Sequence, residues 1–112
     1  MTERIYVPTT LAGLRELAVA GELPGSGDAV VAPDDDEETE YAALLTAADG
    51  SAELLTGPGR RVVVVAEVPD ADGPVRLRDV VAVHVDLIEG AGPDDDLGWF
   101  APSEIQVLLD QA

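Results

Sequence analysis

A run of β-branched residues dominates the centre of the sequence. Four consecutive valines, Val62 to Val65, are followed after Ala66 and Glu67 by Val68. Such side chains favour extended backbone, and an almost unbroken apolar run is typical of a strand buried on both faces of a sheet. The sequence therefore predicts that Val62–Val68 is the central strand of a sheet. A second long strand is expected at Val80–Leu87, where apolar residues alternate with Ala82, His84 and Asp86.

The N-terminal half predicts a strand, a helix and a second strand. Ile5–Val7 is expected to be a short strand that stops at Pro8, because proline cannot donate to a sheet ladder. A threonine at position 9 or 10 is suited to cap the following helix, and Gly21 to end it. Ala29–Ala32 is the next expected strand, after the turn-rich segment 24–27. This strand–helix–strand unit is expected to cross over right-handed.

Two further helices are expected. One begins in an acidic segment at Glu37, where acids interact favourably with the helix dipole, and ends near Leu55. Gly50 is its weak point, costing about 1 kcal/mol relative to alanine. Its predicted apolar stripe is Tyr41, Leu44, Leu45, Ala48, Ala52 and Leu55. The last helix follows Trp99 and Phe100, which are interpreted as core, and a capping box formed by Ser103 and Gln106.

The length and order of these elements predict one domain spanning residues 1–112. A chain of 112 residues is too short for two proper cores. The predicted fold class is α+β: a four- to five-stranded mixed sheet with two to three helices packed mainly on one face. No stretch approaches the roughly 18 apolar residues of a membrane span, and the first residues lack signal-peptide features, so a cytoplasmic location is expected.

The charge is strongly negative and unevenly distributed. The chain has 23 acidic and 6 basic residues, for a formal net charge of −17. Nine of the acids lie in two short segments, which are interpreted as an acidic interaction surface: Asp34, Asp35, Asp36, Glu37, Glu38 and Glu40, and Asp94, Asp95 and Asp96. Such a field disfavours direct binding to nucleic acid or an anionic membrane, and favours basic partners, such as a basic protein, or divalent cations.

The sequence predicts no metal site and no cofactor. There is no cysteine, which excludes disulfides, thiolate metal sites and cysteine nucleophiles. His84 is the only histidine, and the acidic segments lack the ligand spacing of calcium loops. No glycine-rich phosphate loop and no serine hydrolase elbow is present.

One polar constellation is a candidate binding site. His84 lies two residues before Asp86, which places the two on one face of a strand. Arg4, Tyr6 or Glu67 joins them if their strands are neighbours. A histidine oriented by a carboxylate is a general-base arrangement. A lone histidine in a strand is more often a semi-buried structural side chain, so no catalytic residue is predicted.

Four segments together resemble a family of small uncharacterised proteins of high-GC actinobacteria. They are Arg4–Leu11, Glu40–Leu44, Arg61–Pro69 and Val80–Asp86, and they cover most of the chain in the same order. The resemblance implies an intracellular bacterial domain and supplies no catalytic residue.

These observations lead to three functional hypotheses. The first is a non-enzymatic protein-interaction module that uses its acidic surface. The second is a small-ligand or catalytic domain that uses the polar sheet face around Arg4, Tyr6, His84 and Asp86. In the third, the acids only maintain solubility and the sheet edge mediates homodimerisation, so the chain is a monomer or a homodimer.

Overall fold

The computed structural model describes residues 2–24 and 28–112. All but the first residue of the expected turn at 24–27 therefore lies outside the described residues. The rest forms an α+β domain with a five-stranded sheet and three α-helices, as predicted. The sheet has the strand order β3-β1-β4-β6-β7. Its strands are β1 (Glu3–Thr9), β3 (Val30–Val31), β4 (Val62–Val68), β6 (Val80–Val85) and β7 (Gly98–Phe100).

The valine run occupies the centre of the sheet, as predicted. β4 is the third of the five strands, and Val62, Val63, Val64 and Ala66 are fully buried. β6 lies beside it but ends at Val85, two residues earlier than expected. Leu87 and Ile88 follow the strand as exposed side chains.

The prediction of a mixed sheet is wrong, because every neighbouring pair of strands is antiparallel. β1 pairs with β4 from Glu3 opposite Val68 to Thr9 opposite Val62. β3 also runs antiparallel to β1, so the first strand–helix–strand unit is not a parallel crossover. The right-handed rule, which concerns parallel strands, does not apply to it.

The first strand continues through Pro8, contrary to the prediction. β3 pairs only with Ile5 and Tyr6, so Pro8 has a ladder partner, Val63, on one side alone. A residue that lacks an N–H group is tolerated where one side of a strand is unpaired.

Two helices and a small second sheet cover one face of the main sheet. Helix α1 (Leu11–Ala20) begins at Thr10, whose Oγ1 accepts a hydrogen bond from Gly13 N at 3.1 Å, and ends at Gly21 with φ 78°. These are the predicted caps. Helix α3 (Ile105–Gln111) contacts α1, and β2 (Glu22–Leu23) pairs with β5 (Val75–Arg76). The core between them is aliphatic and includes Ile5, Val7, Leu14, Leu17, Val62, Val64, Val83, Val85, Ile105 and Leu108.

The start of α3 differs from the prediction. A 3₁₀ turn, Pro102–Glu104, precedes the helix, and Glu104 Oε1 accepts a hydrogen bond from Ala101 N at 2.8 Å. The expected capping box at Ser103 and Gln106 is therefore wrong by two residues, because the proline starts the first turn earlier.

Helix α2 (Glu37–Leu54) covers the opposite face with small residues. Its buried side chains are Ala43, Ala47, Ala48 and Ser51, whereas Tyr41 and Leu45 of the predicted stripe are exposed. Ser51 Oγ donates to Thr9 O at 2.6 Å and accepts from Val62 N at 2.8 Å, which ties the helix to two strands. Small side chains let the helix approach the sheet closely, and the helix continues unbroken through Gly50.

Candidate functional site

A cleft opens beside α2 because the helix does not cover the whole face of the sheet. α2 packs on β1, β3 and β4, and leaves the adjoining part of β6 and β7 without a helix. The larger part of the cleft, named here the Arg4 cavity, has a volume of about 400 Å³. Its lining is Arg4, Tyr6, Glu37, Glu40, Tyr41, Leu44, Val65, Val81, Ala82, His84 and Trp99.

A second cavity of about 310 Å³ adjoins the first. We name it the aspartate cavity, and both together the cleft. Its lining is Tyr41, Leu44, Leu45, His84, Asp95, Asp96, Leu97 and Trp99. Tyr41, Leu44, His84 and Trp99 line both cavities, so the two are direct neighbours.

Three of the four aromatic residues of the chain line this cleft. Tyr6 is buried at its base, while Tyr41 and Trp99 are 53% and 60% exposed at its mouth. The interpretation of Trp99 as core is wrong, because its side chain is largely exposed on the edge strand β7. Phe100, on the other face, does pack against the aliphatic core.

The structure brings three of the four candidate binding residues together in the Arg4 cavity: Arg4, Tyr6 and His84. The guanidinium of Arg4 bonds Glu40 Oε2 at 2.9 Å and Glu67 Oε1 at 3.4 Å. Partial burial opposes the charge of Arg4, but the two glutamates together raise its pKa above the ordinary value. Arg4 therefore stays protonated, and its charge is balanced by the two glutamates. Its ion pair with Glu40 holds that carboxylate at the cleft wall.

Burial also affects the other two groups. It raises the pKa of the Tyr6 hydroxyl, and the charge of Glu40 adds to that effect. Burial lowers the pKa of His84 below its ordinary value of 6.5, because the charged imidazolium is disfavoured away from water. His84 is therefore neutral at pH 7, and the cleft gains no positive charge from it.

Asp86 does not join His84 and instead forms a buried ion pair with Arg61. Arg61 Nε donates to Asp86 Oδ2 at 2.9 Å and Arg61 Nη2 donates to Oδ1 at 2.8 Å. The two side chains are only 4% and 1% exposed. The hydrogen bonds to Asp86, ahead of the opposing effect of burial, raise the pKa of Arg61. The candidate general-base pair of His84 and Asp86 is therefore not supported by the geometry.

The ion pair also fixes the second acidic segment. Arg61 Nη2 donates to the main-chain oxygen of Asp95 at 2.8 Å, and Asp95 Oδ2 accepts from Gly92 N at 2.7 Å. Arg61 is not among the binding residues predicted from the sequence. The available signal was its position immediately before β4, since an antiparallel partner strand brings the residue after Val85 next to it.

The two acidic segments each contribute carboxylates to the lining of the cleft. Asp36 caps α2 by accepting from Glu38 N at 3.2 Å, and the first turns of the helix direct Glu37 and Glu40 into the cleft lining. Asp95 and Asp96 line it from the loop before β7. The other acids of the two segments, Asp34, Asp35, Glu38 and Asp94, are exposed and do not line either cavity.

Within residues 2–24 and 28–112, no group of three or more His, Asp or Glu side chains is arranged to hold a metal ion. Over the same ranges, no helix has both the length and the apolar character needed to span a lipid bilayer.

A family model matches residues 3–109 of the chain, and its description is a family of unknown function, DUF6912. The chain belongs to the DUF6912 family. No curated protein and no solved structure matches the chain significantly. Every residue of the cleft named above lies inside the segment matched by DUF6912, so the cleft is part of the family domain.

Proposed function

We propose that this DUF6912 protein is a non-enzymatic interaction module that binds a basic segment of a partner protein in the cleft. One observation carries the proposal: Glu37 and Glu40 line one of two adjoining cavities, Asp95 and Asp96 line the other, and Tyr41 and Trp99 line both. Acidic groups and large exposed aromatics thus converge on one surface from two segments, 37–41 and 95–99, that are far apart in the sequence.

The charge balance of the cleft favours a cation. Its only arginine, Arg4, is already paired with Glu40 and Glu67, and burial keeps His84 neutral at pH 7. Glu37, Asp95 and Asp96 have no cationic partner among the ion pairs of the described residues. A basic segment would supply one and would also be attracted by the net charge of −17.

The aromatic residues favour a protein segment over a nucleic acid. Tryptophan and tyrosine are enriched among the residues that dominate binding energy at protein interfaces. The phosphate backbone of a nucleic acid would be repelled by the acids that line both cavities. We therefore propose one occupant for the cleft: an exposed or extended basic stretch of a partner protein that also carries apolar side chains.

A second candidate is the binding of a small molecule in the Arg4 cavity. Its volume of about 400 Å³ lies within the range of small-ligand pockets, and it places Tyr6 and His84 at a concave apolar surface. This alternative predicts that a metabolite raises the melting temperature of the protein. His84→Ala would abolish that rise and leave binding of a basic peptide intact.

The remaining expectations accompany this proposal. We infer an origin in a high-GC actinobacterium from the arginine-only basic residues and the segments quoted above, and a cytoplasmic location from the composition. The module acts as a monomer or a homodimer.

The test compares two variants that remove the same amount of charge. The cleft variant carries Glu37→Gln, Asp95→Asn and Asp96→Asn, and the control carries Asp35→Asn, Glu38→Gln and Asp94→Asn, which lie outside the cleft lining. Binding of a 12-residue peptide of alternating arginine and leucine is measured by isothermal titration calorimetry. We expect about a tenfold or greater loss of affinity in the cleft variant and a loss below about threefold in the control, because screened charges outside the contact contribute little.

Equal losses in the two variants would show that the peptide responds only to the overall charge, and would contradict the proposal. Absence of binding by the unmodified protein at 50 mM salt would contradict it as well. A decrease of binding as salt rises is expected in either case and does not discriminate.

A further inference from the structure

We infer that the group recognised in the aspartate cavity is the guanidinium of an arginine side chain of the partner, in preference to a lysine ammonium. This inference rests on the proposed function and specifies the chemistry that the cleft selects. It locates the principal contact at Tyr41, Trp99, Asp95 and Asp96, away from Arg4.

The two cavities differ in the charges that they present. The Arg4 cavity contains a guanidinium of its own, held by Glu40 and Glu67. The aspartate cavity contains Asp95 and Asp96, and its lining includes no arginine or lysine. The lining of the aspartate cavity therefore presents two carboxylates and no cation, whereas the lining of the Arg4 cavity presents Glu37 and Glu40 together with the like charge of Arg4.

The shape of the lining favours a flat cation. Tyr41 and Trp99 both line the aspartate cavity with their rings largely exposed. A guanidinium is planar and weakly hydrated, so it stacks on an aromatic face while its edge donates to a carboxylate. An ammonium is compact and strongly hydrated, and it loses more solvation on entering an aromatic site.

Asp95 is held ready to accept such an edge. Its main-chain oxygen is bonded by the buried Arg61 and its Oδ2 by Gly92 N, so the loop is fixed at two points. No hydrogen bond to Asp95 Oδ1 occurs among the described residues, which leaves this oxygen for a ligand. A carboxylate that is positioned before binding costs less ordering entropy when the ligand arrives.

Arg4 shows that the neighbouring part of the cleft already accommodates this chemistry. Its guanidinium lies in a cavity lined by Tyr6 and Tyr41 and donates to Glu40 at 2.9 Å. The partner's arginine would place the same combination of aromatic rings and carboxylate around a second guanidinium.

The test compares two peptides of equal length and charge. One alternates arginine with leucine, and the other alternates lysine with leucine. Trp99 is the only tryptophan, so its fluorescence reports directly on the cavity, and calorimetry gives the affinities. We expect the arginine peptide to bind about five- to tenfold more tightly and to shift the emission of Trp99. Tyr41→Leu, which preserves charge and apolar character, should weaken the arginine peptide about three- to fivefold and the lysine peptide less than twofold.

The matched control is Leu54→Ala, which removes an exposed apolar side chain of the same helix outside both cavities. It should leave both affinities unchanged. Equal affinities for the two peptides, together with equal responses to Tyr41→Leu, would overturn this inference but leave the proposed function standing. If neither peptide binds, the inference and the proposed function fail together.

Discussion

His84 is partly buried, and no ion pair with a carboxylate of the described residues offsets the cost of protonating it. It lies between the two cavities, and the groups that face the cleft with it are Arg4, Glu37, Glu40, Tyr6 and Tyr41 from one side, and Asp95 and Asp96 from the other. Burial alone accounts for the lowering of its pKa. A histidine of this kind disfavours protonation in the folded state more than in the unfolded chain.

This difference predicts a pH dependence of stability. The unfolded state binds the proton first as pH falls below about 6.5, so the free energy of unfolding decreases from there until the lower pKa of folded His84 is passed. One proton contributes a slope of at most about 1.4 kcal/mol per pH unit. We expect urea unfolding to show less loss of stability between pH 7.5 and 5.5 in His84→Gln than in the unmodified protein.

The carboxylates titrate in part of the same range, and the variant serves as the control for them. Parallel pH profiles in the two proteins would contradict the assignment to His84. The neutral glutamine is chosen because it cannot take up the proton.

At the scale of single residues, only some of the side chains that line the cleft can be grouped from the sequence. Arg4, Tyr6 and His84 were grouped because alternation places them on one face of neighbouring strands, and the antiparallel register confirms that neighbourhood. Asp86 follows the same alternation, but it lies beside Arg61 and forms an ion pair with it instead of contributing to the cleft. Alternation specifies a face, whereas the partner of a charged group depends on the register of another strand.

Among the elements, α2 shows how packing overrides residue propensity. Gly50 lies inside the helix, and a Cβ atom added there would be 3.2 Å from Pro8 Cβ and 3.3 Å from Pro8 Cγ. The prediction of a weak point at Gly50 counted only the backbone cost of glycine. Close approach to β1 explains why glycine is accommodated without a break in the helix.

We therefore expect Gly50→Ala to give no net stabilisation. The helix propensity of alanine contributes about 1 kcal/mol, but contact with the rigid proline ring offsets it. Thr46→Ala, on the exposed side of α2, is the control and should be within about 0.5 kcal/mol of the unmodified protein. Denaturant unfolding that shows a gain of the full 1 kcal/mol for Gly50→Ala would disprove the close contact.

The same close contact explains why the buried side of α2 is predicted only in part: Ala48 is buried as expected, but Ala43, Ala47 and Ser51 are not in the predicted stripe. Helical periodicity was matched to the larger residues Tyr41, Leu44 and Leu45, whereas the sheet selects the smaller ones, Ala43 and Ala47. The β-strands are easier to predict, because a run of β-branched residues such as Val62–Val65 is favourable only in a buried strand. An alanine-rich helix has two faces of similar polarity, and the shape of the sheet decides between them.

For the molecule as a whole, the charge of −17 is a destabilising field. Two of the four ion pairs of the described residues involve Arg4, one is buried and one is exposed at Arg76 and Glu22, so most acids have no cation nearby. Repulsion among them disfavours the compact state, and salt screens it.

The melting temperature should therefore rise by several degrees between 20 mM and 500 mM sodium chloride, since about 1 kcal/mol corresponds to roughly 4–8 °C in a domain of this size. The rise should be smaller in a variant with Asp34→Asn, Asp35→Asn, Glu38→Gln and Asp94→Asn, which removes exposed charge outside the cleft lining. Differential scanning calorimetry provides the measurement. A rise of equal size in both proteins would show that the effect is not electrostatic.

At the scale of the whole molecule, the relative directions of the strands are the feature that the sequence does not predict correctly. The order of strand, helix and strand was interpreted as a parallel crossover, but the central pairing joins β1 to β4 across the length of α2. Local sequence patterns define each strand. Which strands become neighbours depends instead on how the helices pack on the two faces of the sheet.

The pairing of β1 with β4 also sets an order of events during synthesis. β1 lies between β3 and β4, and its longer partnership, from Glu3 opposite Val68, requires residue 68 to have left the ribosome. Until then the first strand has only the two-residue partner β3. The nascent N-terminal half therefore remains without its main partner until the central strand has been synthesised, and the core forms through contacts between distant parts of the chain that close slowly.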